Sequence, residues 1–194
     1  MKFKIFKYKS VTSTNDVAIN LIKEKKINHG CVYADIQTKG KGTKGKKWVS
    51  EIGNLFGSFF FPLKNPHPPF NEFFIINPVI ISEMLNKFCE KKMTSFKWPN
   101  DILLNGKKVC GILQEVIIIN EIKFLIIGIG INIISHPNLK NTYLASNILE
   151  ETRKQPTAKE IIHLLKESYE NFFDNLKEYS YINFKKKMEI ISIK

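Results

Sequence analysis

The sequence predicts an α+β domain with a mixed or antiparallel sheet that helices cover on one side. Three observations favour this class: strand-like segments follow one another without regular βαβ alternation, a strong hairpin turn joins two of them directly, and helical segments with capping signals flank the strands. The chain has 194 residues, 43% of them hydrophobic, which suffices for one compact core. We therefore expect a single domain over residues 1–194.

The N-terminal part of the chain predicts a strand, a helix and two more strands. Residues 3–8 alternate apolar and polar side chains, as a half-buried strand does. Ser13 is a candidate N-cap for a helix from about Thr14 to Lys25, which carries an apolar stripe. Strand-like residues 31–36 and 54–63 flank a loop rich in glycine and lysine. This order of strand, loop and strand differs from the strand, loop and helix of P-loops and Rossmann folds.

The rest of the chain predicts three strands and three helices. The clearest turn is Asn105-Gly106, because both residues accept the positive φ angles of a type I′ hairpin turn; Asn120-Glu121 is a second turn. Thr157 and Glu160 form a capping box after a loop that runs to Gln155. The predicted elements are a helix over 71–91 in which Pro78 requires a kink or a late start, strands over 102–104, 108–119 and 123–134, a helix that begins after Thr157, and a short helix over 181–187.

The positive charge of the chain does not by itself specify a nucleic-acid partner. The formal net charge is +12, but the basic residues are almost all lysine, with Arg153 the single arginine of the sequence. Basic charge spread over the whole chain favours weak contact with polyanions, but it does not form a patch that recognises a specific nucleic acid. A basic nucleic-acid-binding module stays an alternative, and a specific nucleic-acid partner is not expected.

Cysteine usage and hydropathy favour a soluble, cytoplasmic protein. Cys31, Cys89 and Cys110 are an odd number without a CxxC pair, which argues against a disulfide framework or a structural zinc site, and we predict no metal-binding residues. The N-terminus mixes charged and apolar residues, unlike a signal peptide, and the apolar stretch from Phe124 to Ile134 is too short to span a bilayer. No membrane partner is expected.

The stretch from Gln37 to Ser50 is the first candidate for function. Three glycines are interspersed among five lysines, so backbone amides and ammonium groups together suit an anion. A solvated, flexible turn is the alternative. Trp48, which closes the run, and the strands on both sides favour a functional loop, because a disordered linker uses neither.

Two further stretches suggest a ligand site on the strands. Lys97 precedes Trp98-Pro99, whose restricted backbone would hold the lysine as a positioned cation; a plain turn in which Asp101 pairs with Lys97 is the alternative. Glycines at 111, 128 and 130 lie inside strands, where glycine is costly unless something approaches the backbone closely.

Taken together, these stretches resemble the biotin protein ligases, which attach biotin to a lysine of biotin-dependent carboxylases. The resemblance runs through nearly the whole chain. It is carried by five motifs in the family's order: Ser13-Thr14-Asn15, the loop from Gln37 to Trp48, Lys97-Trp98-Pro99-Asn100-Asp101, Gly111-Ile112-Leu113, and Gly128-Ile129-Gly130-Ile131-Asn132. It implies the class II synthetase-like catalytic domain of the biotin and lipoate ligases.

The resemblance also implies an activity and its site residues. Biotin and ATP would give biotinyl-5′-AMP, whose biotinyl group passes to a lysine of a biotin carboxyl carrier domain; magnesium is expected with ATP. Lys97 is the implied catalytic cation. Implied biotin and adenylate contacts are Ser13, Thr14, Asn15, Gln37, Gly40, Lys41, Gly42, Trp48, Gly111, Gly128 and Gly130. Implied nucleotide and phosphate contacts are Lys44, Lys46 and Asn132.

The chain departs from the family pattern in three respects. The loop reads Gly-Lys-Gly-Thr where the family commonly has Gly-Arg-Gly-Arg, so Thr43 supplies no cation. The catalytic resemblance begins almost at Met1, so we expect no N-terminal DNA-binding domain and no repressor activity. Lys194 ends the sequence before the family's small C-terminal β-barrel, which we expect to be missing.

Several alternatives stay open at this stage. Lipoate ligases and lipoyl or octanoyl transferases share the fold and a catalytic lysine, and a protein that binds biotin without catalysis is a further alternative. The sequence does not choose between a monomer and a homodimer, and it does not name the acceptor carboxylase.

Overall fold

A computed structural model describes residues 1–137 and 144–193 and contains a seven-stranded mixed sheet. Strands lie in the order β1-β2-β3-β7-β6-β5-β4, with β1 and β2 parallel and every other pair antiparallel. The predicted α+β class with a mixed sheet is confirmed. The strands are β1 (Ile5–Val11), β2 (Gly30–Gln37), β3 (Leu55–Pro62), β4 (Thr94–Lys97), β5 (Asp101–Leu104), β6 (Lys107–Ile119) and β7 (Ile122–Ile131).

Helices cover both faces of this sheet, so the prediction of a sheet covered on one side is wrong. The helices are α1 (Thr14–Lys23), α2 (Phe73–Leu85), α3 (Ile148–Thr152), α4 (Ala158–Asp174) and α5 (Tyr181–Ile191). On one face Ala18, Leu21 and Ile22 of α1 pack with Phe60 and other buried residues of the central strands. On the other face α2, α4 and α5 pack against a larger core that includes Phe59 and Phe61.

The bounds of several elements differ from the prediction. β1 starts at Ile5 and continues to Val11, because it pairs with β2 through Val11 and Gln37. Pro78 lies inside the continuous helix α2. The predicted loop before Gln155 contains α3, whose N-cap Asn147 accepts a hydrogen bond from the Glu150 amide. Residues 138–143 of that loop lie outside the described part of the chain.

The turns that join β5, β6 and β7 follow the prediction. Asn105 and Gly106 have φ of 50° and 76°, and Asn120 and Glu121 have φ of 49° and 65°, as type I′ turns require. These two turns bring β5, β6 and β7 into one antiparallel meander at the centre and one side of the sheet. The described helices include none with the length and apolar character needed to cross a bilayer.

Candidate active site

A cavity of about 440 Å³ lies where α1 begins and β2 ends, above the glycines of β6 and β7. The glycine-rich loop after β2 and the turn before β5 complete its walls. Predicted site residues that line it are Ser13, Thr14, Asn15, Gln37, Lys41, Gly42, Lys44, Lys46, Trp48, Gly111, Gly128, Gly130 and Asn132. Residues that line it without having been predicted as site residues include Pro99, Asn100, Asp101, Lys108, Leu113, Pro137 and Ala145.

One end of the cavity is formed by buried polar groups at the start of α1. The Gln37 Oε1 atom accepts hydrogen bonds from the Thr14 amide at 2.8 Å and the Thr14 hydroxyl at 3.2 Å. The Asn15 Nδ2 atom donates to Glu115 at 2.6 Å, and Asn15 Oδ1 accepts from the buried Ser58 hydroxyl. Ser13 holds the predicted N-cap position of α1, but its side chain makes no capping hydrogen bond.

The glycine-rich loop is a small folded hairpin rather than an extended, flexible linker. The Gly42 amide donates to the Lys46 carbonyl at 2.7 Å, and the Trp48 amide donates to the Gly40 carbonyl at 2.9 Å. A short turn at residues 43–45 reverses the chain, with Lys44 at φ 55° and Gly45 at φ 74°. Gly40 itself does not line the cavity; it lies at the base of this hairpin.

Lysines on the loop bring positive charge to the cavity. Lys41, Lys44 and Lys46 all line it and are solvent-exposed. The Lys41 Nζ atom forms an ion pair with Asp16 of α1, which holds Lys41 over the start of the helix. Both side chains of this pair are partly exposed, so the ion pair stabilises the fold only weakly.

The glycines of β6 and β7 make room for protein side chains. A Cβ atom on Gly130 would lie 2.4 Å from Trp48 Cε2, and one on Gly111 would lie 2.5 Å from Trp48 Cζ3. A Cβ atom on Gly128 would lie 2.6 Å from Asn15 Oδ1. Trp48 and Asn15 thus lie next to these glycines, which also line the cavity, and contact between the glycines and a ligand stays a prediction.

Lys108 is the lysine that the strands place at the wall of this cavity. Its Nζ atom lies 2.7 Å from Asp101 Oδ1 and 5.5 Å from the centroid of the Trp48 ring. Its side chain is 14% exposed and that of Asp101 is 13% exposed, so the pair is largely removed from water. A cation with little solvent access acts more strongly on a nearby anion than an exposed one.

A β-bulge explains why the sequence did not indicate Lys108. Leu103 pairs with Lys108 and Ile102 pairs with Cys110, so β6 carries one extra residue, Val109, at this point. Val109 and Cys110 are both fully buried, which places Lys108 and Gly111 together on the cavity face. Strict alternation along a strand would have put them on opposite faces. Burial raises the pKa of the Cys110 thiol, which keeps it protonated and unreactive.

Lys97, the predicted catalytic cation, is not among the residues that line the cavity. It ends β4 and is exposed to solvent, whereas the residues that follow it, Pro99 to Asp101, do line the cavity. The Asp101 carboxylate pairs with Lys108. The turn that follows Lys97 therefore lines the cavity, and the catalytic role of Lys97 stays a prediction.

Asn132 links the cavity to the segment before α3. It is 3% exposed, and its Nδ2 atom donates to the Ser146 carbonyl at 3.0 Å while its backbone amide donates to Val109 at 2.8 Å. Among residues 1–137 and 144–193 no group of three or more His, Cys, Asp or Glu side chains is placed to hold a metal ion.

Comparison with known proteins identifies the family. Residues 8–132 match the model of the biotin/lipoate A/B protein ligase family, which is well over half of the chain. The chain belongs to this family.

Individual members of the biotin/lipoate protein ligase family show how far the similarity extends. Biotin–protein ligase 2 of Arabidopsis thaliana is 30% identical over 185 residues, which cover 88% of this chain and 53% of the plant protein. The bifunctional ligase/repressor BirA of Escherichia coli is 33% identical over 124 residues, which cover 63% of this chain and 38% of BirA. The chain thus spans about half the length, or less, of these relatives.

Solved structures of ligases have the same fold over nearly the whole chain. A biotin protein ligase from Leishmania major, in complex with biotin, superposes with a TM-score of 0.81 at 26% identity and covers 98% of this chain and 81% of that one. A biotin protein ligase from Aquifex aeolicus, in complex with biotin and ATP, gives 0.78 at 30% identity and covers 98% and 78%.

Proposed function

We propose that this chain is the catalytic domain of a biotin protein ligase, which joins biotin to ATP and then transfers the biotinyl group to a carrier domain. One observation carries the proposal: a single cavity combines a buried cluster of amides and hydroxyls with a positioned, largely buried lysine. Along β6 the cavity runs from Lys108 past Gly111 to Leu113, whose register partner Gly128 lies against Asn15. The five steps along the strand from Lys108 to Leu113 span about 16 Å.

The polar end favours biotin over lipoate. Biotin carries a ureido ring with two N–H groups and a carbonyl, whereas the dithiolane ring of lipoate offers no strong hydrogen-bonding group. Thr14, Asn15 and Gln37 line the cavity and are joined in one hydrogen-bonded cluster. A dithiolane would leave their remaining polar groups unpaired, at a cost of about 1–3 kcal/mol for each such group.

The cationic end supports activation of a carboxylate by ATP. In this step a biotin carboxylate oxygen attacks the α-phosphorus, pyrophosphate leaves, and a mixed anhydride forms. We propose that Lys108, rather than Lys97, contacts the two anionic groups, because it lines the cavity and is held there by Asp101. Lys44 and Lys46 of the loop then face the polyphosphate. Cations placed beforehand offset the repulsion between carboxylate and phosphate.

We propose that magnesium binds the site together with ATP. The carboxylate that lines the cavity, Asp101, is already paired with Lys108, and the described residues provide no cage of acidic side chains. We therefore assign the ion to the ATP phosphates, as part of the substrate, and assign no residue to it.

The second step needs a protein partner. The ε-amine of a lysine on a biotin carboxyl carrier domain attacks the biotinyl carbonyl, AMP leaves, and an amide forms as the amine loses a proton. The folded loop over the cavity would keep water from the anhydride until that lysine arrives. The cytoplasm, where carboxylases and ATP meet, is the proposed compartment, and both a monomer and a homodimer are compatible with a site built from one chain.

One assay tests the proposal against its closest rival. The purified protein is incubated with ATP, magnesium, a carrier domain and equal concentrations of biotin and lipoate, and the acceptor lysine is analysed by mass spectrometry. We expect biotin on that lysine. Predominant lipoyl transfer would favour the lipoate ligases, and no transfer together with steeply salt-dependent binding of random DNA would favour the nucleic-acid module.

The residue Thr43 leads to a prediction about leakage of the activated intermediate. Thr43 lines the cavity but carries no charge, so it cannot hold the adenylate phosphate as an arginine fork does. We expect Thr43→Arg to lower biotinylation of bystander proteins several-fold while labelling of the carrier domain continues.

The matched control for that prediction is Thr38→Arg, which adds the same charge at an exposed position that does not line the cavity. Labelling of bystander lysines is followed on a mixture of unrelated proteins by streptavidin blot. An unchanged level of bystander labelling in Thr43→Arg, or an equal fall in Thr38→Arg, would contradict the role given to Thr43.

A further inference from the structure

A chain of hydrogen bonds runs beneath the polar end of the cavity and ends at two residues that do not line it. Its members are Glu115, Asn15, Ser58, Thr14, Gln37 and Ser50. We propose that Glu115 and Ser50, the two ends of this chain, are positioning residues for ligand recognition: together they set the orientation of the Asn15 and Gln37 amides and tie them to the glycine-rich loop. The inference rests on the proposed function and extends it.

The Glu115 end fixes the Asn15 side chain. An ionised carboxylate accepts hydrogen bonds and donates none, so Asn15 must present its NH₂ group to Glu115, at 2.6 Å. The carbonyl oxygen of Asn15 then faces the Ser58 hydroxyl, which donates to it. Ser58 is fully buried in β3 and also lies 2.7 Å from the Thr14 hydroxyl. Glu115 thus sets the direction of the first half of the chain.

The backbone amide of Thr14 fixes the orientation of the Gln37 side chain, in the second half of the chain of hydrogen bonds. A backbone N–H can only donate, so the atom of Gln37 that lies 2.8 Å from it must be the carbonyl oxygen. The Gln37 NH₂ group is therefore turned toward Ser50, whose Oγ atom is 3.2 Å away. Each of the two amides, Asn15 and Gln37, uses one N–H within the chain and retains a second for a ligand acceptor.

Ser50 connects this arrangement to the glycine-rich loop. It lies two residues after Trp48, on the returning side of the loop. A Cβ atom on Gly40 would lie 3.0 Å from both Gln37 Nε2 and Ser50 Oγ and 2.6 Å from the Trp48 carbonyl oxygen. The base of the loop is thus packed directly onto the bond between Gln37 and Ser50, so the group that orients Gln37 also anchors the loop.

Neither end is placed to touch the ligand itself. Glu115 and Ser50 are partly buried and are not among the residues that line the cavity, whereas Asn15, Thr14 and Gln37 are. Loss of Glu115 would free the Asn15 amide to rotate, and loss of Ser50 would free the Gln37 amide. Rotation of an amide by half a turn places its carbonyl oxygen, an acceptor, where its NH₂ group, a donor, faced the cavity. The expected consequence is weaker binding of a ureido ligand, with little effect on the nucleotide end some distance along β6.

The test compares Glu115→Ala, Glu115→Gln and Ser50→Ala with the wild-type protein. Biotin Kd is measured by calorimetry, and KM for biotin and for ATP and kcat are measured by pyrophosphate exchange. We expect about a tenfold rise in biotin Kd and KM for each alanine variant and an unchanged KM for ATP. Glu115→Gln keeps an acceptor for Asn15 and should stay within about threefold of wild type.

Matched controls separate positioning from general damage. Glu24→Ala and Ser10→Ala make the same chemical changes at exposed positions, and both should bind biotin normally. A merely structural role for Glu115 or Ser50 would lower the active fraction, and hence kcat, and leave KM for biotin unchanged. Ser50→Ala removes one hydroxyl from a partly buried position, so it keeps the test available should Glu115→Ala fail to fold.

The results that would overturn the inference are distinct from failure of the proposed function. If wild type binds biotin and folded Glu115→Ala and Ser50→Ala both bind it within twofold of wild type, the positioning role is wrong and the ligase proposal stands. The positioning role is equally wrong if Glu115→Gln is as defective as Glu115→Ala. If the wild-type protein binds no biotin at all, the proposed function fails, and the inference that rests on it fails as well.

Discussion

Replacement of Lys108 by alanine is expected to lower the rate of biotin-dependent adenylate formation by about 100- to 1,000-fold, the usual effect of removing a positioned group that stabilises developing charge. Lys108 lines the cavity, is 14% exposed, and is oriented by Asp101 and the Trp48 ring. Water that enters in its place would screen the two substrate anions without being fixed between them. Pyrophosphate exchange measures the step directly.

Two neighbouring lysines provide the controls. Lys97→Ala and Lys107→Ala should retain exchange within about threefold, because neither lysine is among the residues that line the cavity. A large loss in Lys97→Ala with activity retained in Lys108→Ala would restore the interpretation drawn from the sequence. Lys108→Ala leaves the largely buried Asp101 carboxylate without its cation, which destabilises the fold. The double variant Asp101→Asn/Lys108→Ala removes that uncompensated charge. Inactivity of the folded double variant then shows that the loss is not caused by misfolding.

Replacement of Gly130 by alanine is expected to reduce the free energy of unfolding by about 1–3 kcal/mol, the usual cost of overpacking. The new methyl group would lie 2.4 Å from Trp48 Cε2 and 2.6 Å from Cζ2, so the indole must leave its place on the sheet. Because Lys108 lies over the same ring, biotin-dependent exchange should fall too. Urea unfolding curves measure the stability change.

A double-mutant cycle assigns that cost to Trp48. In a Trp48→Ala background the indole that the new methyl group would meet is absent. Gly130→Ala should then lower the free energy of unfolding by less than about 1 kcal/mol. Gly45→Ala is the contrasting control: nothing lies within 4 Å of its new methyl group, but its φ of 74° strains any other residue. Its cost should be equal in both backgrounds. An undiminished cost of Gly130→Ala in Trp48→Ala would contradict the packing of the indole against this glycine.

Local signals in the sequence account for the turns and for much of the site. Asn105-Gly106 predicts its hairpin because positive φ at both positions is a property of those two residues. The order of motifs brings the start of α1, the loop after β2 and the glycines of β6 and β7 into one cavity, as the resemblance implied. These features depend on a few neighbouring residues, which a sequence displays directly.

Features that depend on distant contacts were not predictable in the same way. The bulge at Val109, which turns Lys108 toward the cavity, arises from the pairing of β6 with β5 and leaves no periodic signal. The roles of Gly111 and Gly130 depend on where the Trp48 ring lies, far away in the sequence. The roles proposed for Glu115 and Ser50 depend on hydrogen bonds to side chains on other elements.

Coverage of both faces of the sheet, by contrast, had a signal in the sequence. Phe59, Phe60 and Phe61 are consecutive and all fully buried, with Phe60 in the core beside α1 and its two neighbours in the larger core. A strand that is apolar at consecutive positions is typical of burial on both faces. The apolar stripe of α1 was therefore evidence for a second covered face.

Pyrophosphate exchange by the wild-type protein tests the proposed ligase activity most directly. The protein is incubated with ATP, magnesium and labelled pyrophosphate in three parallel reactions that contain biotin, lipoate or neither acid. We expect label to enter ATP with biotin, much more slowly with lipoate, and at background level with neither, since activation must be reversible and specific for the ureido ring. Exchange that is equal with lipoate, or absent with biotin in folded protein, would contradict the proposed activity.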